Sequence, residues 1–306
     1  MLKCCMNVLR EFLIKNRITI GGDHTGAYMD AYIGVNIFVF GLIIGSFLNV
    51  CIWRLPREES VIGGHSHCVH CGKRIRAKDL IPLFSYLFLR GKCRDCGKKI
   101  SARYALVEFI TGLSFVILFL KLGLCFDLFS MMYLVSILIV VLFVDIDHRI
   151  IPDELVIAGL IGGAIVFVYN IFAGIYTETL PPVLTYGNDT FWWNPILGLI
   201  IGSGSLFLVA VLGSLIYKTD DAMGGGDIKI YAPIGLFLGW KLTLVSLFFS
   251  VIIGGVIGII LLLVFKVGRK AAIPFGPFIV IGTYVTILWG WDFLIWYFGR
   301  YIPIIL

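Results

Sequence analysis

Eight apolar runs divide this chain, near 33–53, 105–121, 127–145, 154–174, 194–217, 229–240, 242–265 and 272–298. Most approach or exceed the ~18 residues a helix needs to cross hydrocarbon. Within hydrocarbon only helices and closed barrels satisfy every backbone polar group. Hydrophobic residues make up 59% of the sequence and charged ones 14%, against about 25% charged in soluble domains. A soluble globule is excluded. The expected fold is an all-α polytopic membrane protein of about eight transmembrane helices, with seven as the other count because the sixth run is short.

Charge orients the helices. Between Arg54 and Arg103 lie 12 of the 25 Lys and Arg residues, against the four acids Glu58, Glu59, Asp79 and Asp95. The segment 175–193 carries no Lys or Arg. Positively charged loops stay in the cytoplasm, so 54–104 is expected inside and 175–193 outside. With eight spans, 145–153, 218–228 and 266–270 also fall inside, and each carries Lys or Arg. Clustered glycines in "GLIIGS" and "FSVIIGGVIG" suit close helix contacts. The opening "MLKCCMNVLREFLIKNR" is interrupted by charge and lacks a small-residue cleavage site, so it is not expected to be a cleavable signal. The expected order is an N-terminal extension over 1–32, a first transmembrane helix over 33–53 and a cytoplasmic four-cysteine loop over 54–104. A transmembrane core over 105–298 and a tail over 299–306 follow.

The cytoplasmic loop reads as a metal site. It holds Cys68-x-x-Cys71 and, 21 residues later, Cys93-x-x-Cys96, each pair followed by glycine and lysine. Two such knuckles present four thiolates tetrahedrally to Zn²⁺. A closed four-cysteine site leaves no position for substrate, so the zinc is structural. Four of the eight cysteines are thereby used, and Cys4, Cys5, Cys51 and Cys125 read as small apolar side chains. The apolar "LIPLFSYLFL" inside the loop argues against nucleic-acid binding.

Two acidic clusters fall on the same side of the membrane. "FVDIDHRIIPD" (143–153) closes the third span, where Pro152 prevents simple continuation. "GGGDIK" (224–229) opens the sixth. Two carboxyls held close together share one proton, so one acts as base toward water while the other donates to a carbonyl oxygen. Gly224 and Gly226 let the backbone at Asp227 approach a partner without side-chain collision. Asp145 and Asp147 lie about 200° apart around a helix and cannot face the same partner. Asp145 sits deeper in the apolar run and is the expected dyad member, with Arg149 one turn on as a candidate ion partner. Asp147, His148 and Asp153 read as water-facing.

In order along the chain, "GSFLNVCIWRLP" (45–56), the two CxxC pairs around "IPLFSYLFLRGKC", "SARYALVEFITG" (101–112), "DIDHRIIPD" and "GGGDIK" resemble the type IV prepilin peptidases, leader peptidases of the GxGD aspartic class. The resemblance spans roughly residues 40–240. It implies a bacterial inner-membrane enzyme that removes the basic leader from prepilins or pseudopilins after a glycine at the cytoplasmic face. It places the catalytic aspartates on Asp145 and Asp227 and the four-cysteine loop on Cys68, Cys71, Cys93 and Cys96. It further implies N-methylation of the new N-terminus with S-adenosylmethionine as methyl donor. No residue is assignable to that donor, since no strand–GxGxxG–helix pattern is present. Glu108 matches the family pattern and reads either as serving one of the two reactions or as the structural partner of a lysine such as Lys229. Two other classes compete: an ion- or proton-coupled transporter, whose carboxylates would lie near the midplane, and a zinc-stabilised secretion-assembly scaffold. The bilayer is a partner in every reading, and the oligomeric state is not encoded in these patterns.

Overall fold

The computed structural model describes residues 23–63, 65–172, 192–218, 224–263 and 274–301. The segment before residue 23, all but two residues of the 175–193 loop, and the tail from residue 302 lie outside the described residues. Seven of the described helices are long and apolar enough to cross a membrane. The chain divides into two compact units, residues 1–128 and 129–306.

The first unit contains α1 (Asp23–Arg54), a short α2 (Phe84–Phe88) and α3 (Ala102–Leu122). α1 starts at Asp23, ahead of the expected residue 33. Ser101 caps α3 by accepting from the Arg103 N–H at 3.3 Å, and Gly123 closes it by donating to Phe119 O at 2.8 Å. α1 and α3 run antiparallel and touch backbone to backbone. A Cβ on Gly41 would lie 2.6 Å from Gly112 Cα, and one on Gly45 would lie 2.7 Å from Glu108 Cα. The four-residue glycine spacing of "GLIIG" thus forms a smooth stripe, the expected use of small residues between membrane helices. The other glycine cluster behaves differently: Gly254 meets Phe278, while Gly255 and Gly258 have open space.

The second unit is built from α4 (Phe126–His148), α5 (Asp153–Phe172), α6 (Asn194–Tyr217), α7 (Gly225–Leu263) and α8 (Gly276–Tyr301). α7 is continuous in sequence but not in direction. At Gly239 the backbone turns to φ 69°, ψ 171°, a conformation open to glycine and costly for other residues. Tyr231 Oη then lies 2.9 Å from Ser250 Oγ. A straight helix would hold those residues about 28 Å apart. The chain therefore folds back on itself, and α7 is a hairpin of two crossing limbs. Its limbs correspond to the expected runs 229–240 and 242–265, while by length and composition the two limbs together count as one of the seven candidate spans among the described residues.

Neighbouring contacts fix the directions. Gly198 of α6 packs on the backbone of Gly235, and Gly202 packs on Tyr231, so α6 runs against the first limb. Gly159 and Gly163 of α5 meet Pro233 and Leu236 in the same order, so α5 runs with it. α8 runs against the second limb: Gly282 faces Ser250 and Gly290 faces Leu242. At the turn, Trp240 donates its backbone N–H to Asn194 Oδ1 at 3.0 Å. Inside, Ser246 Oγ lies 2.8 Å from Thr283 Oγ1, both fully buried. Hydroxyls paired in this way satisfy polar groups that would otherwise be costly away from water. The net result is one end of the unit that gathers the last turn of α4 and the starts of α5, α7 and α8.

Candidate active site and metal centre

At that end lies a cleft of about 310 Å³ lined by Asp145, Arg149, Ile150, Ile151, Asp153, Gly224 to Asp227, and Lys229. Asp145 reaches it from the last turn of α4. That helix stops because Arg149 adopts a left-handed conformation (φ 57°) while its N–H still bonds Asp145 O at 2.9 Å. The chain passes through Pro152 and starts α5 with Asp153 and Glu154, acids suited to a helix N-terminus. Asp227 stands in the first turn of α7, its N–H bonded to Gly224 O at 3.2 Å. The two carboxyls, 82 positions apart in sequence, are close enough to interact electrostatically.

Contacts around the two aspartates are tight. A Cβ on Gly226 would lie 3.0 Å from Ile151 Cβ, so this glycine sets how closely the two acidic segments approach. A Cβ on Gly224 would lie 3.2 Å from Asp227 Oδ2. Gly225 has free space around it. Lys229 pairs with Asp153, its Nζ 2.8 and 3.0 Å from the two carboxylate oxygens. Asp145 itself is 5% exposed. The group that bonds its Oδ2 is the backbone N–H of Gly276, 2.9 Å away. Sequence reasoning missed this residue. The available signal was "PFGP" at 274–277, a glycine and proline at the threshold of an apolar run, where proline favours a helix start.

In the first unit the two CxxC segments fold as copies of one another. Cys68 N–H bonds Lys73 O at 2.9 Å and Gly72 N–H bonds Cys68 O at 2.8 Å; Cys93 with Lys98 and Gly97 with Cys93 repeat the pattern at 2.8 and 2.9 Å. Gly72 and Gly97 both take φ 69°, the left-handed turn that favours glycine. The four sulfur ligand atoms lie within 4.8 Å of one another, an arrangement able to hold a metal ion. Backbone N–H groups, that of His70 foremost, pull the Cys68 thiol down to about 7. Arg94, between the second pair of cysteines, grips Asp79 with Nε and Nη2 at 2.6 to 3.1 Å. That hydrogen-bonded guanidinium holds the Asp79 carboxyl below its usual range. The pair therefore contributes its full stability above the ordinary carboxylate range and loses it progressively as pH falls from that range toward the lower value of the folded state.

Glu108, 8% exposed, accepts the Leu83 N–H at 2.7 Å. It lines a cavity of about 750 Å³ together with Asn49. Asn49 donates to Tyr104 O at 3.0 Å, while its buried Oδ1 has no hydrogen-bond partner among the described residues.

The Bacterial Peptidase A24 N-terminal domain model matches residues 39–122. The Type IV leader peptidase family model matches residues 132–259. A prepilin leader peptidase/N-methyltransferase of Bacillus subtilis is 33% identical, covering 83% of this chain and 93% of its own length. Proteins of the same name from Stutzerimonas stutzeri and Aeromonas hydrophila are 34% and 32% identical. They cover 82% and 87% of this chain, and 89% and 94% of their own lengths. No solved structure matches.

Proposed function

The chain belongs to the type IV leader peptidase family, and from that premise we propose that Asp145 and Asp227 hydrolyse the peptide bond joining a basic leader to the apolar helix of a type IV prepilin or pseudopilin. The enzyme is a prepilin peptidase and N-methyltransferase. One observation carries the catalytic assignment: two distant aspartates line one cleft at the ends of membrane helices. A carboxylate there takes a proton from water while its protonated partner donates to the scissile carbonyl oxygen. The cleft's place at the helix ends suits a substrate whose apolar part lies in the bilayer and whose leader lies in water. The basic residues between Arg54 and Arg103 support a cytoplasmic placement of the leader, and with it an inner-membrane location.

Zinc fits the four-cysteine centre. Tetrahedral ligands at about 2.3 Å from zinc stand roughly 3.8 Å apart, and Cys68 Sγ lies 3.9 Å from Cys96 Sγ. With all four positions filled by cysteine, such an ion holds the loop and leaves hydrolysis to the aspartates. The methyl donor, S-adenosylmethionine, supplies the methyl group for the new N-terminus. The cavity of about 750 Å³ in the first unit falls within the usual size of small-molecule sites. Asn49, whose buried Oδ1 has no hydrogen-bond partner among the described residues, and Glu108 are the residues that fit a polar cationic ligand there.

The test uses purified enzyme in lipid with a substrate bearing a basic leader, a glycine and an apolar helix. Wild type is compared with Asp145→Asn and Asp227→Asn by mass spectrometry. Wild type is expected to cleave after glycine and then add ~14 Da, the mass of one CH₂. Each Asn variant is expected to lose at least ~10³-fold in cleavage, as removal of a group that acts as one unit with its partner does. Undiminished cleavage by either folded variant removes that aspartate from the mechanism.

A further inference from the structure

Gly276 lies beyond both stretches matched by the family models, yet its N–H is bonded to Asp145 Oδ2 at 2.9 Å in a buried setting. We propose that Gly276 is the positioning residue of the dyad, and that its backbone N–H makes Asp145 the ionised carboxylate and general base, leaving Asp227 as the proton-bearing acid. The inference rests on the peptidase reading of the two aspartates.

Three features of the geometry bear on this assignment. Asp145 accepts a donor from the first residue of α8, where unpaired N–H groups and the helix dipole favour negative charge. Asp227 also stands in the first turn of a helix, so the dipole does not separate the two; what does is that no hydrogen bond from a described donor reaches the Asp227 carboxyl oxygens. Finally, position 276 admits no side chain. A Cβ there would lie 2.5 Å from Asp145 Oδ2 and 2.8 Å from its Cγ. Among the described residues, the charged groups lining the cleft beside Asp145 are Arg149 beyond the end of α4, Asp153 of α5, and Asp227 and Lys229 of α7. Lys229 is already held by Asp153, so it does not decide which carboxyl is charged.

The chemistry then has a direction. Asp145 removes a proton from water as the water oxygen bonds to the scissile carbonyl carbon. Asp227 gives its proton to the carbonyl oxygen, forming a gem-diol. On collapse the C–N bond breaks, the proton on Asp145 passes to the departing nitrogen, and Asp227 regains a proton from a gem-diol hydroxyl. Both carboxyls return to their starting states. The products are the leader acid and the new amine.

The test has two arms. In Gly276→Ala the added methyl displaces Asp145 and weakens its donor. The expected result is a kcat about 10- to 100-fold lower with KM within about twofold. The acidic limb of the pH profile should also move up by about one pH unit, because the ionised base has lost a hydrogen bond. Unchanged kcat, or a loss uniform across pH, overturns the proposal. The second arm uses the wild-type enzyme and does not depend on that variant folding. An epoxide, which esterifies an ionised carboxylate, is expected on Asp145, and a diazo ester, which requires a protonated carboxyl, on Asp227. Reversed labels overturn the role assignment. Failure of the peptidase reading itself would show separately, as cleavage by the Asp→Asn variants.

Discussion

At the scale of single residues, the spacing of the cleft is set by a glycine with no chemistry of its own. Gly226 sits where any Cβ would press on Ile151, so Gly226→Val is expected to part the two acidic segments. Cleavage should fall by about 10²-fold, the cost of roughly 1 Å of misplacement. The thermal midpoint should move little, because the strain is local and lies at the rim. An activity assay paired with a melting curve checks both halves. Asp145 was legible in the sequence because it lies deep in an apolar run that ends at a proline. Its neighbour Arg149 was an available ion partner by spacing, but the bond observed comes from the backbone at 276. A backbone N–H brought from 131 positions away leaves no side-chain pattern to read. Lys229 teaches the same lesson: its sequence admitted Glu108 as a partner, whereas the fold supplies Asp153.

At the scale of elements, the turn in α7 holds both limbs in register. Asn194 Oδ1 accepts the Trp240 N–H where the second limb begins, doing for another helix what an N-cap does locally. Asn194, 3% exposed, cannot be removed without leaving that donor unpaired. Asn194→Ala should lower stability by about 1–3 kcal/mol and leave the pH profile of cleavage unchanged. Unfolding in mild detergent and a rate–pH series would check the two outcomes. The two limbs were readable as separate apolar runs because Lys241, the one residue between 229–240 and 242–265, interrupts them. Which neighbours they contact was not, since glycine contacts such as Gly198 on Gly235 depend on packing between backbones.

At the scale of the whole molecule, the two family matches fall one in each compact unit, and so do the two kinds of site. The four-cysteine centre was plain from spacing, and its two repeated turns follow from the glycine after each pair. Cys93→Ser, or prolonged chelation, is expected to abolish bound zinc and to open the loop to protease between residues 66 and 100. Elemental analysis and mapping of the cut sites would test this. Loss of metal without new cuts would mean that the loop is held by other contacts, such as the Asp79–Arg94 pair. The position of Gly276 has a different consequence, one that concerns time. A ribosome releases Asp145 and Asp227 to the bilayer before it makes α8, so a nascent chain carries both acids while the donor to Asp145 has yet to be synthesised. On this assignment a chain interrupted before α8 docks hydrolyses its substrate only slowly, and full activity arrives with that helix.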